Sequence, residues 1–160
     1  MDESKPLRLR EGRVPREWVD EYGHMNMARY IEACDLSTYA LWERLNRPRR
    51  LEDRGGFEYA VVEMHANYLS ELYDGDPYYI TTQVLGADHK RIWMYHELYH
   101  GERADLVATN EIMALGFDLG RRQVMSFVPE VRERLAVLSA LHASLPTPKN
   151  ASRSIVLRKK

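Results

Sequence analysis

The sequence predicts an α+β domain in which an antiparallel sheet wraps around one long helix. Two observations carry this. Between Met27 and Asn46 apolar residues recur at helical spacing, and from Phe57 to Phe117 that rhythm gives way to β-rich segments separated by short turn sequences. A strongly apolar helix and a sheet that needs cover on one face bury both surfaces by packing on each other. At 160 residues the chain has room for one such domain with a real core and is short for two. The domain is expected to fill residues 1–146, with a basic tail over residues 147–160.

The first element is a strand, because Leu7-Arg8-Leu9-Arg10 alternates apolar and basic side chains and Pro15 ends the stretch that runs to Val14. After a loop carrying Asp20 and Gly23, the residues Met27, Tyr30, Ile31, Cys34, Leu41, Trp42 and Leu45 form the helix stripe, while Arg29, Glu32, Asp35, Glu43 and Arg44 take the other faces. Asn26 is placed to cap that helix, and Arg47-Pro48 to break it. Strands are expected over about Phe57–Tyr73, Tyr78–Ala87, Arg91–His100 and Leu106–Phe117. The breaks Asp74-Gly75-Asp76-Pro77, Asp88-His89-Lys90 and Gly101-Glu102-Arg103 are each short enough for a hairpin, which predicts a meander. Pro129 suits the first turn of a second helix with the stripe Val131, Leu135, Leu138, Leu141 and Leu145, and Pro146-Thr147-Pro148 closes it before an extended tail to Lys160.

Composition narrows the function classes. With 44% hydrophobic and 29% charged residues and a formal net charge of −1, nothing favours nucleic acid or an anionic membrane as partner. No run of about 18 apolar residues is present. The single Cys34 cannot form an internal disulfide, and the charged start Met1-Asp2-Glu3-Ser4-Lys5 has no apolar signal region, which reads as cytoplasmic. His96 and His100 are four apart, but on a strand that spacing covers two side-chain repeats, so no metal site is expected.

The stretch from Trp18 to Tyr30 is the most suggestive. An acidic residue and a glycine turn lead through Asn26 into the long helix, so the carboxylate of Asp20 is delivered to a helix N-terminus, where unpaired amides and the helix dipole polarise an electrophile. The bland reading of Asp20 and Gly23 is a capped turn. On the first long strand Glu63, His65 and Asn67 alternate onto one face, either as a buried hydrogen-bonded set or as part of a site.

Asp20-x-x-Gly23-His24-x-Asn26-x-x-x-Tyr30, followed by a strand ending Tyr68-Leu69-x-Glu71-x-x-x-Gly75-Asp76, resembles the hotdog-fold acyl-CoA thioesterases of the 4-hydroxybenzoyl-CoA thioesterase type over nearly the whole chain. The same fold also hosts dehydratases and proteins of no known activity, so an acyl-CoA hydratase or dehydratase, or a non-enzymatic binding module, is the alternative. More narrowly, Thr82-Gln83-Val84-Leu85-Gly86-Ala87-Asp88-His89-Lys90-Arg91 and Leu141-His142-Ala143-x-Leu145-Pro146-x-Pro148 are similar to thioesterases of carnitine degradation, which occur alone or fused to L-carnitine dehydrogenase. That resemblance implies hydrolysis of betainyl-CoA to glycine betaine and CoA with no cofactor.

The resemblance also assigns roles. Asp20 matches the catalytic acid, as nucleophile or general base, and the backbone N–H groups around Gly23 and His24 would hold the developing oxyanion. The His24 side chain could orient that carboxylate or bond a substrate oxygen. Glu63 is the second catalytic candidate, because an acidic residue on this strand can face the site of a neighbouring subunit in related enzymes. Lys90, Arg91 and Arg121 are the favoured contacts for the CoA phosphates, ahead of Arg47, Arg49, Arg50 and Arg122. A trimethylammonium is stabilised by aromatic faces, for which Trp18 and Tyr22 come first and Tyr30, Tyr39, Trp42 and Trp93 follow. Asn26 is a cap before it is a substrate contact, and Tyr30 a core or cleft-wall residue. A free sheet edge implies a homodimer or homotetramer.

Overall fold

The structure is a computed structural model that describes residues 2–157. The last residues of the predicted tail, Arg158, Lys159 and Lys160, lie outside the described residues. In chain order the elements are β1 (Leu7–Arg13), α1 (Met27–Asn46), β2 (Phe57–Tyr68), β3 (Pro77–Ala87), β4 (Arg91–His100), β5 (Leu106–Asp118), the short β6 (Gln123–Val124) and α2 (Pro129–His142). Asn26 caps α1 as its sequence position implies: its Oδ1 accepts the N–H of Ala28 at 3.0 Å. Pro129 starts α2, where its missing N–H leaves no intrahelical bond unmade.

The sheet is a curled antiparallel layer in the order β1-β3-β4-β5-β2, with β6 against β5. Only β3-β4-β5 is a meander. The expected hairpin through Asp74-Gly75-Asp76-Pro77 does not form, because β2 pairs with β5 at one edge and β3 begins beside β1 near the other. Strand β2 accordingly ends at Tyr68, and Leu69 to Asp76 crosses between them. Backbone bonds mark the route: Leu69 and Ser70 donate to Val107, Leu72 accepts from Met25, and Gly75 donates to Val14 while Asp76 accepts from it. This crossing segment therefore passes the N-terminal end of α1.

Two apolar clusters lie between α1 and the sheet. Tyr30, Ala33 and Cys34 pack with Met25, Leu72, Tyr78, Ile80 and Leu98 at one end. Leu41, Trp42 and Leu45 pack with Phe57, Met94, Ile112 and the α2 residues Val131, Leu135 and Leu138 at the other. Between them runs a buried polar belt of Ser37, Thr38, Thr82 and His96. Met27, expected in the helix stripe, is instead 63% exposed. On α2 the stripe turns away from Leu141, which is exposed, to His142. The Nδ1 of His142 accepts the N–H of Val84 where a bulge interrupts the β3–β4 ladder, so its Nε2 carries the proton and donates to the Lys5 carbonyl.

A second bulge, at Val62, decides what β2 presents. Phe57, Tyr59 and Val61 face α1, the register then slips by one residue, and Glu63, His65 and Asn67 emerge opposite Met113, Glu111 and Thr109 on the outer face. They do not continue the face of Tyr59 and Val61, as strict alternation predicts. The described tail is also not extended: Ala151 donates to Pro148 in a turn, and the Ser152 N–H reaches Glu111 on that same outer face at 2.8 Å.

Candidate active site

The residues before α1 form a tight hairpin. Val19 and Met25 bridge, the Asp20 N–H donates to the His24 carbonyl and the Gly23 N–H donates to the Asp20 carbonyl, both at 3.1 Å. A type I turn followed by a left-handed residue makes this pattern, and Gly23 supplies that residue with φ +88°. Asp20 occupies the first turn position, where its Oδ1 accepts the Tyr22 N–H at 3.0 Å. The Nδ2 of Asn26 reaches Asp20 Oδ2 at 3.4 Å, so the residue that caps α1 also holds the carboxylate toward the helix.

This geometry amends the expected oxyanion donors. The N–H of Gly23 is spent inside the turn, whose geometry its positive φ supplies. Among the described residues the N–H groups of His24 and of Met27, at the first position of α1, donate to no protein acceptor. These two amides, one on the turn and one at the positive end of the helix dipole, are free to meet a ligand. The His24 ring uses Nδ1 on the Met25 carbonyl at 3.3 Å and directs Nε2 to Glu71, 3.8 Å away.

The other expected site residues separate into groups. Trp18 stacks on Tyr78 at 6.2 Å and packs against the core, whereas Tyr22 at the turn tip is 78% exposed. Tyr30 is buried and its hydroxyl accepts the Leu72 N–H at 3.0 Å, which gives it a packing duty beneath the crossing segment. Glu63 stands on the outer sheet face, away from α1 and Asp20 in the same chain, and His65 contacts Asn67 rather than Glu63. Tyr39 is exposed on α1, Trp42 donates from Nε1 to Glu58, and Trp93 donates from Nε1 to Glu111.

The basic candidates gather at the far end of the sheet. The Asp20 turn is anchored to the start of β3 by the Trp18–Tyr78 stack, whereas Lys90 and Arg91 follow the other end of that strand, about 30 Å away at ~3.3 Å per residue. Arg121 follows β5 at that same far end. Arg91 is ion-paired with Asp88 at 2.6 Å, and Arg121 lies 3.9 Å from Asp118. One chain does not bring these cations to Asp20. His96 is sealed in the core and His100 accepts two turn amides, from Glu102 and Arg103, through Nδ1. Among the described residues no three His, Cys, Asp or Glu side chains gather as a metal centre requires.

Sequence reasoning missed one feature that the crossing segment creates: Glu71 and Tyr73 reach the surface beside His24. Glu71 was visible in the motif after β2, but its neighbour across the fold was not.

A curled antiparallel sheet around one helix, with an acidic turn at that helix's N-terminus, is the architecture of the hotdog-fold thioester hydrolases. Residues 14–135 match the Thioesterase-like superfamily, and the chain belongs to it. It is 32% identical to the betainyl-CoA thioesterase of Pseudomonas aeruginosa over 96% of this chain and 97% of that one. It is also 32% identical to an L-carnitine dehydrogenase/betainyl-CoA thioesterase of Rhizobium meliloti over 97% of this chain and 31% of that longer protein. A hypothetical protein of Staphylococcus aureus solved in complex with CoA shares the fold, with a TM-score of 0.86 at 22% identity over 96% of this chain and 97% of that one. The chain is thus an enzyme of the acyl-CoA thioesterase class.

Proposed function

We propose that this enzyme hydrolyses betainyl-CoA to glycine betaine and CoA. The observation that carries the reading is the end-to-end likeness to the Pseudomonas aeruginosa betainyl-CoA thioesterase, joined to a carboxylate held beside two unspent amides. The thioester carbon is already electrophilic. The carboxylate of Asp20 attacks it or removes a proton from an attacking water, and the amides of His24 and Met27 stabilise the oxyanion that forms. The thiolate of CoA then leaves; where Asp20 has attacked directly, water cleaves the acyl anhydride left on its carboxylate and frees the acid. Gly23 and Asn26 set the position of Asp20, and the chain needs no cofactor for any of these steps.

The working unit is proposed to be a homodimer or a larger homo-oligomer, which puts Glu63 or the cations Lys90, Arg91 and Arg121 of a second copy within reach of Asp20. Its lone thiol, Cys34, is buried and pushed up to about 12 by that burial, which suits a reducing, cytoplasmic setting. The test supplies purified protein with betainyl-CoA and a panel of fatty acyl-CoAs and follows free thiol. Betainyl-CoA is expected to give the highest kcat/KM. Turnover of short fatty acyl-CoAs with none of betainyl-CoA removes the proposed substrate, and hydration of an enoyl-CoA without thiol release replaces the reaction.

A further inference from the structure

Beside the Asp20 turn lies a cluster of side chains that the hydrolytic steps leave unused: those of Tyr22, His24, Glu71 and Tyr73. Its framework is fixed by the backbone. Met25 donates to the Leu72 carbonyl at 2.7 Å and the Leu72 side chain is fully buried, so its neighbours Glu71 and Tyr73 project outward past the hairpin. The Tyr73 hydroxyl donates to Glu71 Oε2 at 2.7 Å and His24 Nε2 stands 3.8 Å from Oε1. Among the described residues no Lys or Arg nitrogen lies within 4.0 Å of this carboxylate. The Tyr22 ring stacks over the His24 ring at 6.3 Å, with its other side open to solvent.

We infer that Glu71, flanked by the rings of Tyr73 and Tyr22, forms the subsite for the quaternary ammonium of the acyl group and sets the preference for a cationic substrate. This rests on the betainyl-CoA reading above. In that substrate a single methylene separates the ammonium nitrogen from the thioester carbonyl, so the cation sits about 2.5 Å from the carbon under attack at ordinary bond lengths. Its receptor must therefore border the Asp20 turn, and Tyr22 is part of that turn, donating its N–H to Asp20. A trimethylammonium has no N–H to donate. It is recognised by aromatic faces and by a carboxylate not already matched to another cation, which is the chemistry assembled here.

A purely structural duty for the Glu71 side chain is not needed. The segment is already held by the Met25–Leu72 bond, by the Tyr30 hydroxyl on the Leu72 N–H and by Asp76 Oδ2 on the Tyr73 N–H. A neutral acyl group would gain nothing from an unmatched negative charge beside its reacting end.

The experiment compares kcat/KM for betainyl-CoA with that for 3,3-dimethylbutyryl-CoA, in which carbon replaces nitrogen and the shape is kept. The wild-type ratio is expected to exceed about tenfold, and Glu71→Gln should lower that ratio about tenfold. Tyr22→Leu should lower it by a smaller factor and Tyr22→Phe, which keeps the ring, should restore it. If the wild type prefers the cationic thioester and Glu71→Gln keeps the same ratio within about twofold, the subsite is overturned while the substrate stands. If the wild type shows no preference for the cation, both fall.

Discussion

Asp20 works within a set of contacts that separate its role in the turn from its charge. Asn at this position keeps an oxygen for the Tyr22 N–H, so Asp20→Asn preserves the turn and removes the proposed nucleophile or base. Thiol release should fall by roughly 100-fold or more, with a melting temperature unchanged within about 2 °C; a retained rate would take Asp20 out of the mechanism. Gly23 is the complementary case. Nothing lies within 4 Å of an added Cβ there, so Gly23→Ala meets no clash and its cost is the left-handed backbone alone, about 1 kcal/mol. Denaturant midpoints should show that loss, and hydrolysis should drop further than stability does because the turn aims the carboxylate. The motif was legible in sequence because each position answers a local demand: an Asp to open the turn, a Gly for positive φ, an Asn to cap. Which amide remains free was not legible, since it depends on the Gly23 N–H turning back to Asp20 and the Met25 N–H going to Leu72.

Helix α1 carries a polar chain through its core face that periodicity alone does not reveal. Thr38 donates to the Cys34 carbonyl and accepts from His96 Nε2 at 3.0 Å, while Thr82 donates to His96 Nδ1 at 2.9 Å and accepts from Ser37. This chain of donors is satisfied by a neutral imidazole, and full burial lowers the His96 pKa from 6.5 to about 4. Because the unfolded state binds a proton first, the stabilisation is complete above pH 6.5 and is lost as pH falls toward 4, on the order of 3 kcal/mol in total. Urea unfolding at pH 7.5, 6 and 5 should show this decline. His96→Gln, which stays neutral, should show a shallower one, with a same-sign contribution remaining from buried His142. An equal slope in both proteins would place the acid sensitivity elsewhere. The extents of α1 and β4 and the start of α2 followed from periodicity and from Asn26, Pro48 and Pro129, whose effects are local, but α2 stops at His142, short of the expected end at Pro146. The face shown by Glu63 did not, because a one-residue bulge at Val62 leaves composition untouched and reverses every side chain after it.

At the scale of the molecule, the departure from a meander is what builds the site. Had β2 turned directly into β3, residues 69–76 would form a hairpin; crossing instead from β5 to β1, they set Leu72 under the Asp20 hairpin and leave β2 as an outer strand of 12 residues. Strand pairing of this kind is decided by burial over the whole sheet, so short turn sequences such as Asp74-Gly75-Asp76-Pro77 cannot report it. An outer strand that long, with Val61, Val62, Met64 and Tyr68 exposed along it, is a template for another strand unless a partner covers it. A second copy, pairing β2 to β2 about a two-fold axis, closes both edges at once and brings the outer-face residue Glu63 of each chain to the boundary. Light scattering on a sizing column should therefore give at least twice the chain mass at micromolar concentration. The double variant Val62→Lys/Met64→Lys places charge on that edge without entering the core, so it should run as a folded monomer by circular dichroism. If the site needs its neighbour, the same variant should lose thioesterase activity together with the larger mass. A wild-type monomer with full activity would show that Asp20 and its two amides suffice within one chain.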